Sequence, residues 1–116
     1  MEDCSNPKPF QAGIVFVTAG SEAEAGQLAS HLVESNLAAC VSITPIQSVY
    51  TWKGEIQNDP EWQLVIKTDL NRFDAISQAI MARHSYELPE IIAIPIQQGL
   101  PSYLNWMAEL TFVPPR

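Results

Sequence analysis

A chain of 116 residues fits one domain and is long enough to bury a core. Hydrophobic residues make up 47% of it and charged residues 16%, which excludes a disordered or heavily solvated chain. The net charge of −7 comes with no cluster of Lys or Arg, which argues against nucleic acid and anionic membranes as partners, and the apolar runs are too short to span a bilayer.

Residues 1–10 read as an N-terminal tail carrying Glu2, Asp3, Pro7 and Pro9 without an apolar stretch. They lack the basic start and apolar centre of a secretory signal, so a cytoplasmic location is expected. Cys4 and Cys40 make no disulfide framework and are expected to be free thiols. Residues 11–112 form the expected single domain, and 113–116 (Val-Pro-Pro-Arg) a C-terminal tail.

Gly13–Thr18 is a continuous apolar run, as in a strand placed centrally in a sheet. Ser21 followed by Glu24 is a capping box, so a helix starts there. Ala25, Leu28, Ala29, Leu32 and Val33 supply its apolar stripe, His31 borders it, and Asn36 is a plausible stop. Residues 38–52 then read as a strand of unusual length. Trp62–Thr68 reads as its partner, joined through a tight Lys53-Gly54 turn. The apolar phase of the first arm changes at Pro45, which points to a β-bulge. A domain of this size cannot cover such a hairpin, so its outer part, with Tyr50 and Trp52, is expected to pair with other subunits.

After the hairpin the plan repeats. Leu64–Thr68 echoes Ile14–Thr18, Asn71 is positioned to cap a second helix, and Phe73, Ile76 and Ile80 give that helix an apolar face. Arg83 and His84 are expected in its last turn. Glu90–Ile96 reads as a last strand. Tyr103, Trp106, Met107 and Leu110 form the stripe of a third helix. The order is β-α-β-β-α-β with a C-terminal helix, an α+β ferredoxin-like sandwich.

Such a fold is expected to bring Thr18, Cys40, Lys67 and Glu90 to one end of the sheet, with the His84–Glu87 loop leading into it and both helices beginning there. Lys67 interrupts an apolar strand and needs water or a carboxylate, for which Glu90 is the expected partner. Two readings stand side by side: a polar pocket between subunits, lined by Lys67, Tyr86, Glu87 and Glu90, and an ion pair that fixes the loop. His84 and Cys40 are ligand types that suit copper or zinc, with Glu87 or Glu90 as oxygen donors. No Ser or Cys nucleophile stands at motif spacing from a His base, and no glycine-rich phosphate loop is present, which argues against an enzyme.

These residues also carry a resemblance. Leu37-Ala38-Ala39-Cys40-Val41, Tyr50-x-Trp52-Lys53-Gly54-Glu55-Ile56, Ile66-Lys67-Thr68, His84-x-Tyr86-Glu87-x-Pro89-Glu90-Ile91-Ile92 and Tyr103-Leu104-x-Trp106 stand in the order and spacing of the CutA divalent-cation tolerance family. The resemblance covers roughly residues 12–110. It implies a homotrimer joined through the long hairpin, and a role in divalent-cation tolerance that extends to copper, with Cu(II) or another divalent cation as a ligand. It also implies similarity in architecture to trimeric PII signalling proteins, which bind small effectors between subunits. Family members with a proposed copper site have a cysteine before the threonine of the first strand and two adjacent histidines before the loop. Here Val17 and Arg83 take two of these places and His84 remains, while Ser85 replaces a usual proline and Ser42 a common asparagine.

Overall fold

The structure is a computed structural model and describes residues 8–111. Cys4, most of the expected N-terminal tail and the expected C-terminal tail lie outside these residues. The described elements are β1 (Ala12–Ala19), α1 (Glu22–Glu34), β2 (Cys40–Trp52), β3 (Glu55–Asp69), α2 (Phe73–Met81), β4 (Ile91–Pro95) and α3 (Pro101–Thr111). They build one four-stranded sheet in the order β2-β3-β1-β4, with every neighbouring pair antiparallel. This is the expected ferredoxin-like α+β arrangement.

Register decides which side chains meet. Val15 lies opposite Ile66 and Val17 opposite Leu64, and all four are buried on the helix-covered face. Leu28 and Leu32 of α1 and Ile76 and Ile80 of α2 close the core over them. Each such side chain contributes about 1.5–3 kcal/mol of burial free energy. Ile14 and Phe16, one residue out of phase, point to the other face and stay half-buried.

The caps of α1 follow the expectation with one difference. Ser21 Oγ accepts the Glu24 N–H at 3.1 Å, but Glu24 returns its carboxylate to the Gly20 N–H, one residue before the cap. Asn36 adopts φ 60 and lets the Leu37 and Ala38 N–H groups close on the Leu32 carbonyl, ending the helix. Val33, expected in the apolar stripe, is exposed: the buried face of α1 is made by Ala25, Leu28, Ala29 and Leu32.

Asn71 is not the cap of the second helix. Asp69, extended at the end of β3, accepts the Asn71 N–H at 3.0 Å and the Gln11 N–H at 3.2 Å, and caps a short 3-10 turn over Leu70–Arg72. The α-helix then starts at Phe73 without a side-chain cap. Asn71 sits inside the turn, and its side-chain amide donates to the Pro9 carbonyl and to Asp69 instead of capping a helix. α2 ends at Met81, so His84 leaves the helix rather than closing it.

The hairpin forms with Lys53 at φ 52 and Gly54 at φ 82, the two positive φ values of a tight turn whose twist matches the strands. The expected bulge at Pro45 is absent: each residue from Cys40 to Trp52 faces one partner, from Lys67 to Glu55. The phase change has another cause. Val41 and Ile43 face the helices beside Ile66 and Leu64, whereas Ile46, Tyr50 and Trp52 alternate onto the opposite face. Pro45 is tolerated because β2 is an edge strand.

β1 stops at Ala19, opposite Trp62, so residues 46–52 and 55–61 run past the rest of the sheet. Val49, Tyr50, Trp52 and Ile56 are exposed there. α3 packs on β3 and β1, and its Met107 is fully buried outside the core that α1 and α2 cover, which places α3 across the other face of the sheet. The other residues of its expected stripe, Tyr103, Trp106 and Leu110, stay exposed.

Candidate functional site

The strand directions divide the expected site in two. A strand, helix and strand in succession run parallel, and the hairpin then reverses the chain, so β3 runs against both β1 and β2. Thr18 therefore lies opposite Gln63 at one end, while Lys67 lies between Ile14 and Cys40 at the other. Four residues of strand, about 13 Å, separate Lys67 from the level of Thr18. Glu90, next to Ile91 and so level with the Thr18 end, is not the partner of Lys67. α1 begins at the Thr18 end and α2 at the opposite one.

At the Thr18 end the chain after α2 folds into a loop held by side chains. The His84 side chain is 1% exposed. Its Nε2 lies 2.7 Å from the Thr18 carbonyl, and its Nδ1 accepts the Tyr86 N–H at 3.0 Å. An accepting Nδ1 fixes the tautomer, so Nε2 carries the proton and donates it to Thr18. Both ring nitrogens are thus engaged, and neither offers a lone pair to a metal in this geometry.

Glu24 of α1 clamps the same loop. Its Oε2 accepts the Ser85 N–H at 2.8 Å and its Oε1 the Ser85 hydroxyl at 3.0 Å. A proline at 85 has no N–H to donate, so the first of these bonds depends on the serine. Burial acts to raise the Glu24 pKa. The hydrogen bonds from Ser85 and Gly20 and the neighbouring His84 outweigh it and leave the carboxyl below its ordinary value.

Tyr86 connects the loop to the hairpin. Its hydroxyl donates to Glu61 Oε2 at 2.7 Å, and burial followed by the Glu61 hydrogen bond pushes the phenol pKa well up. Glu61 is only 6% exposed, on the face of β3 turned away from α1 and α2. Tyr50 makes a parallel contact, its hydroxyl donating to Asp59 at 2.9 Å. At the hairpin tip Lys53 lies 3.9 Å from Glu87 and over the Trp52 ring.

Between hairpin and loop opens a cleft of about 900 Å³. Tyr50, Trp52 and Tyr86 give it aromatic walls, and Glu61, Glu87 and Glu90 give it charge. The lining includes no Lys, Arg or His, so the cleft is acidic. Burial, and then the proximity of Glu61, raise the Glu90 pKa.

Of the residues expected at the site, Tyr86, Glu87 and Glu90 meet in this cleft, with Tyr50 and Trp52 opposite them. Lys67 and Cys40 stand side by side at the far end of the sheet, so Cys40 and His84 cannot share one ion within a chain. Among the described residues no group of three His, Cys, Asp or Glu side chains is arranged to hold a metal. Neither Glu61 nor Glu24 is among the residues expected at the site. Glu24 carried a usable signal as the acidic member of a capping box. Glu61 carried only its position at an even spacing from Lys67, on the same strand face.

The profile of the CutA1 divalent ion tolerance protein family matches residues 13–110. The divalent-cation tolerance protein CutA of Thermus thermophilus is 42% identical over 99 residues, covering 84% of this chain and 96% of that one. Mouse protein CutA is 40% identical over 104 residues, covering 89% of this chain and 59% of that one. The chain spans about three fifths of the length of the mouse, rice and Arabidopsis relatives, the latter two described as chloroplastic. The solved structure of the CutA protein from Archaeoglobus fulgidus, described as periplasmic, superimposes with a TM-score of 0.85 at 39% identity, over 86% of this chain and 98% of that one. Rice CutA1 superimposes with a TM-score of 0.85 at 40% identity, over 88% and 94% of the two chains. No helix among the described residues is long and apolar enough to cross a membrane. With the family profile matching residues 13–110 and sequence identity and superposition in agreement over most of the chain, the chain belongs to the CutA1 divalent ion tolerance family.

Proposed function

We propose that this chain acts as a homotrimer in divalent-cation tolerance, copper included, and that it meets cations through exposed carboxylates rather than a built site. The family match over residues 13–110 supports the tolerance role. The observation that carries the second half is His84, whose two ring nitrogens are occupied by Thr18 and Tyr86. The hairpin overhang, with its exposed Val49, Tyr50, Trp52 and Ile56, supports assembly. A cytoplasmic location belongs to the same proposal, supported by the free thiol of Cys40. The proposal assigns the chain no catalysis.

Calorimetric titration with Cu(II) tests the proposal. Weak uptake is expected, and it should be unchanged in His84→Ala. Saturable, stoichiometric binding lost in that variant would show that the loop reorganises to free the imidazole.

A second reading is a PII-like trimer that binds a small ligand or a partner protein between its subunits. The acidic, aromatic-walled cleft favours it, because three carboxylates and three aromatic rings suit a small organic cation. Saturable binding of such a cation, with no effect of copper, would favour this reading over the first.

A further inference from the structure

Two charge sets on the outer face of the sheet stand without counterparts. Lys67 interrupts the apolar end of β3 and is half-buried, yet no carboxylate lies within ion-pair reach of it among the described residues. At the other end Glu61 and Glu90 line the cleft, and no cationic residue lines it with them. Tyr86 donates to Oε2 of Glu61, and no donor among the described residues reaches the other oxygen, which is left to water. Lys67 is half-buried and Glu61 nearly buried, and such charges are costly unless paired, so a partner of opposite charge would stabilise each end of the face.

They cannot serve each other within one chain. Lys67 and Glu61 occupy the same face of β3, because both are odd-numbered in a strand of regular register. Six residues, about 20 Å, separate them. A lysine side chain does not bridge that distance.

A second copy can satisfy both. We infer that Lys67 of one copy pairs with the Glu61 and Glu90 carboxylates of a neighbouring copy, so that the acidic cleft is completed by a residue from another subunit. The inference rests on the homotrimer proposed above and adds a contact to it. The shared face also carries apolar surface for the same approach, since Ile92 and Ile94 of β4 and Tyr103 and Trp106 of α3 are exposed. The raised pKa of Glu90 agrees with a carboxylate that lacks its cation in the single chain.

The test is a charge-reversal cycle at the exposed member of the acidic pair. Sedimentation velocity is measured at micromolar concentration on the full chain, on Lys67→Glu, on Glu90→Lys and on the double variant, with circular dichroism to establish folding. Each single reversal should raise the concentration for half-dissociation at least tenfold, and the double variant should recover most of that loss. Where a reversal fails to fold, Lys67→Met and Glu90→Gln complete the same cycle, and their losses should combine to less than the product of the two. Single losses that simply multiply in the double variant, or a trimer indifferent to both changes, would overturn the contact and leave the trimer standing. A full chain that sediments as a monomer would remove the trimer itself.

Discussion

At the scale of single residues, the loop after α2 is organised by hydrogen bonds that leave neither His84 nor Glu24 free as a ligand. His84 spends both nitrogens on backbone groups, and Glu24 spends both oxygens on Ser85. The sign of the Glu24 shift sets a pH dependence. Its folded pKa lies below the ordinary value of 4.5, so its stabilising contribution is present above that pH and is lost as the pH falls through the folded pKa. Glu24→Gln should therefore flatten the acid limb of the stability curve below about pH 4.5, measured by urea unfolding across pH. An unaltered limb would mean that the clamp adds nothing to folding. Glu90 works in the opposite direction, since a raised carboxyl pKa favours folding as the pH falls. Glu24 and Glu90 therefore oppose each other in the acid range, and Glu24→Gln isolates the first. The role of His84 was not legible from residue types: it read as a ligand, and only its partners show it to be a brace.

At the scale of elements, the patterning of the chain located each strand and helix, because apolar period and caps are local properties. It missed the outer half of β3 from Glu55 to Glu61, where polar residues and Pro60 carry no apolar alternation. Ser21, Asn36 and the Lys53-Gly54 turn all act as their chemistry requires. Direction across the sheet is a property of the connections instead. The expectation that Thr18, Lys67, Cys40 and Glu90 share an end misassigned the strand ends, since Lys67 and Cys40 lie at one and Thr18 and Glu90 at the other. The supposed bulge at Pro45 failed for a related reason, since a change in which face is buried can imitate a change in register. Two substitutions probe these elements. Asp69→Ala removes the cap of the turn before α2 and should cost about 1 kcal/mol in chemical unfolding. Leu64→Ala opens a cavity under both helices and should cost about 2–5 kcal/mol. A cost for Leu64→Ala below that of the cap would contradict the placement of the core.

At the scale of the whole molecule, the hairpin is the feature that one chain does not explain. Residues 46–52 and 55–61 extend past the sheet and expose aromatic and branched side chains that water disfavours. A further copy turns that liability into an interface, and the unpaired Lys67 and Glu61 fall on the same face. Trp52→Arg places a second cation beside Lys53 on this surface and should shift the assembly toward monomer at micromolar concentration, as read by light scattering. An assembly unaffected by that change would assign the overhang another purpose.

The measurement that tests the account most directly is the native mass of the unmodified chain. The expected result is an assembly at three times 12.9 kDa that persists on dilution to micromolar concentration. A mass of 12.9 kDa under the same conditions would contradict it, and with it the reading of the hairpin as the joint between subunits.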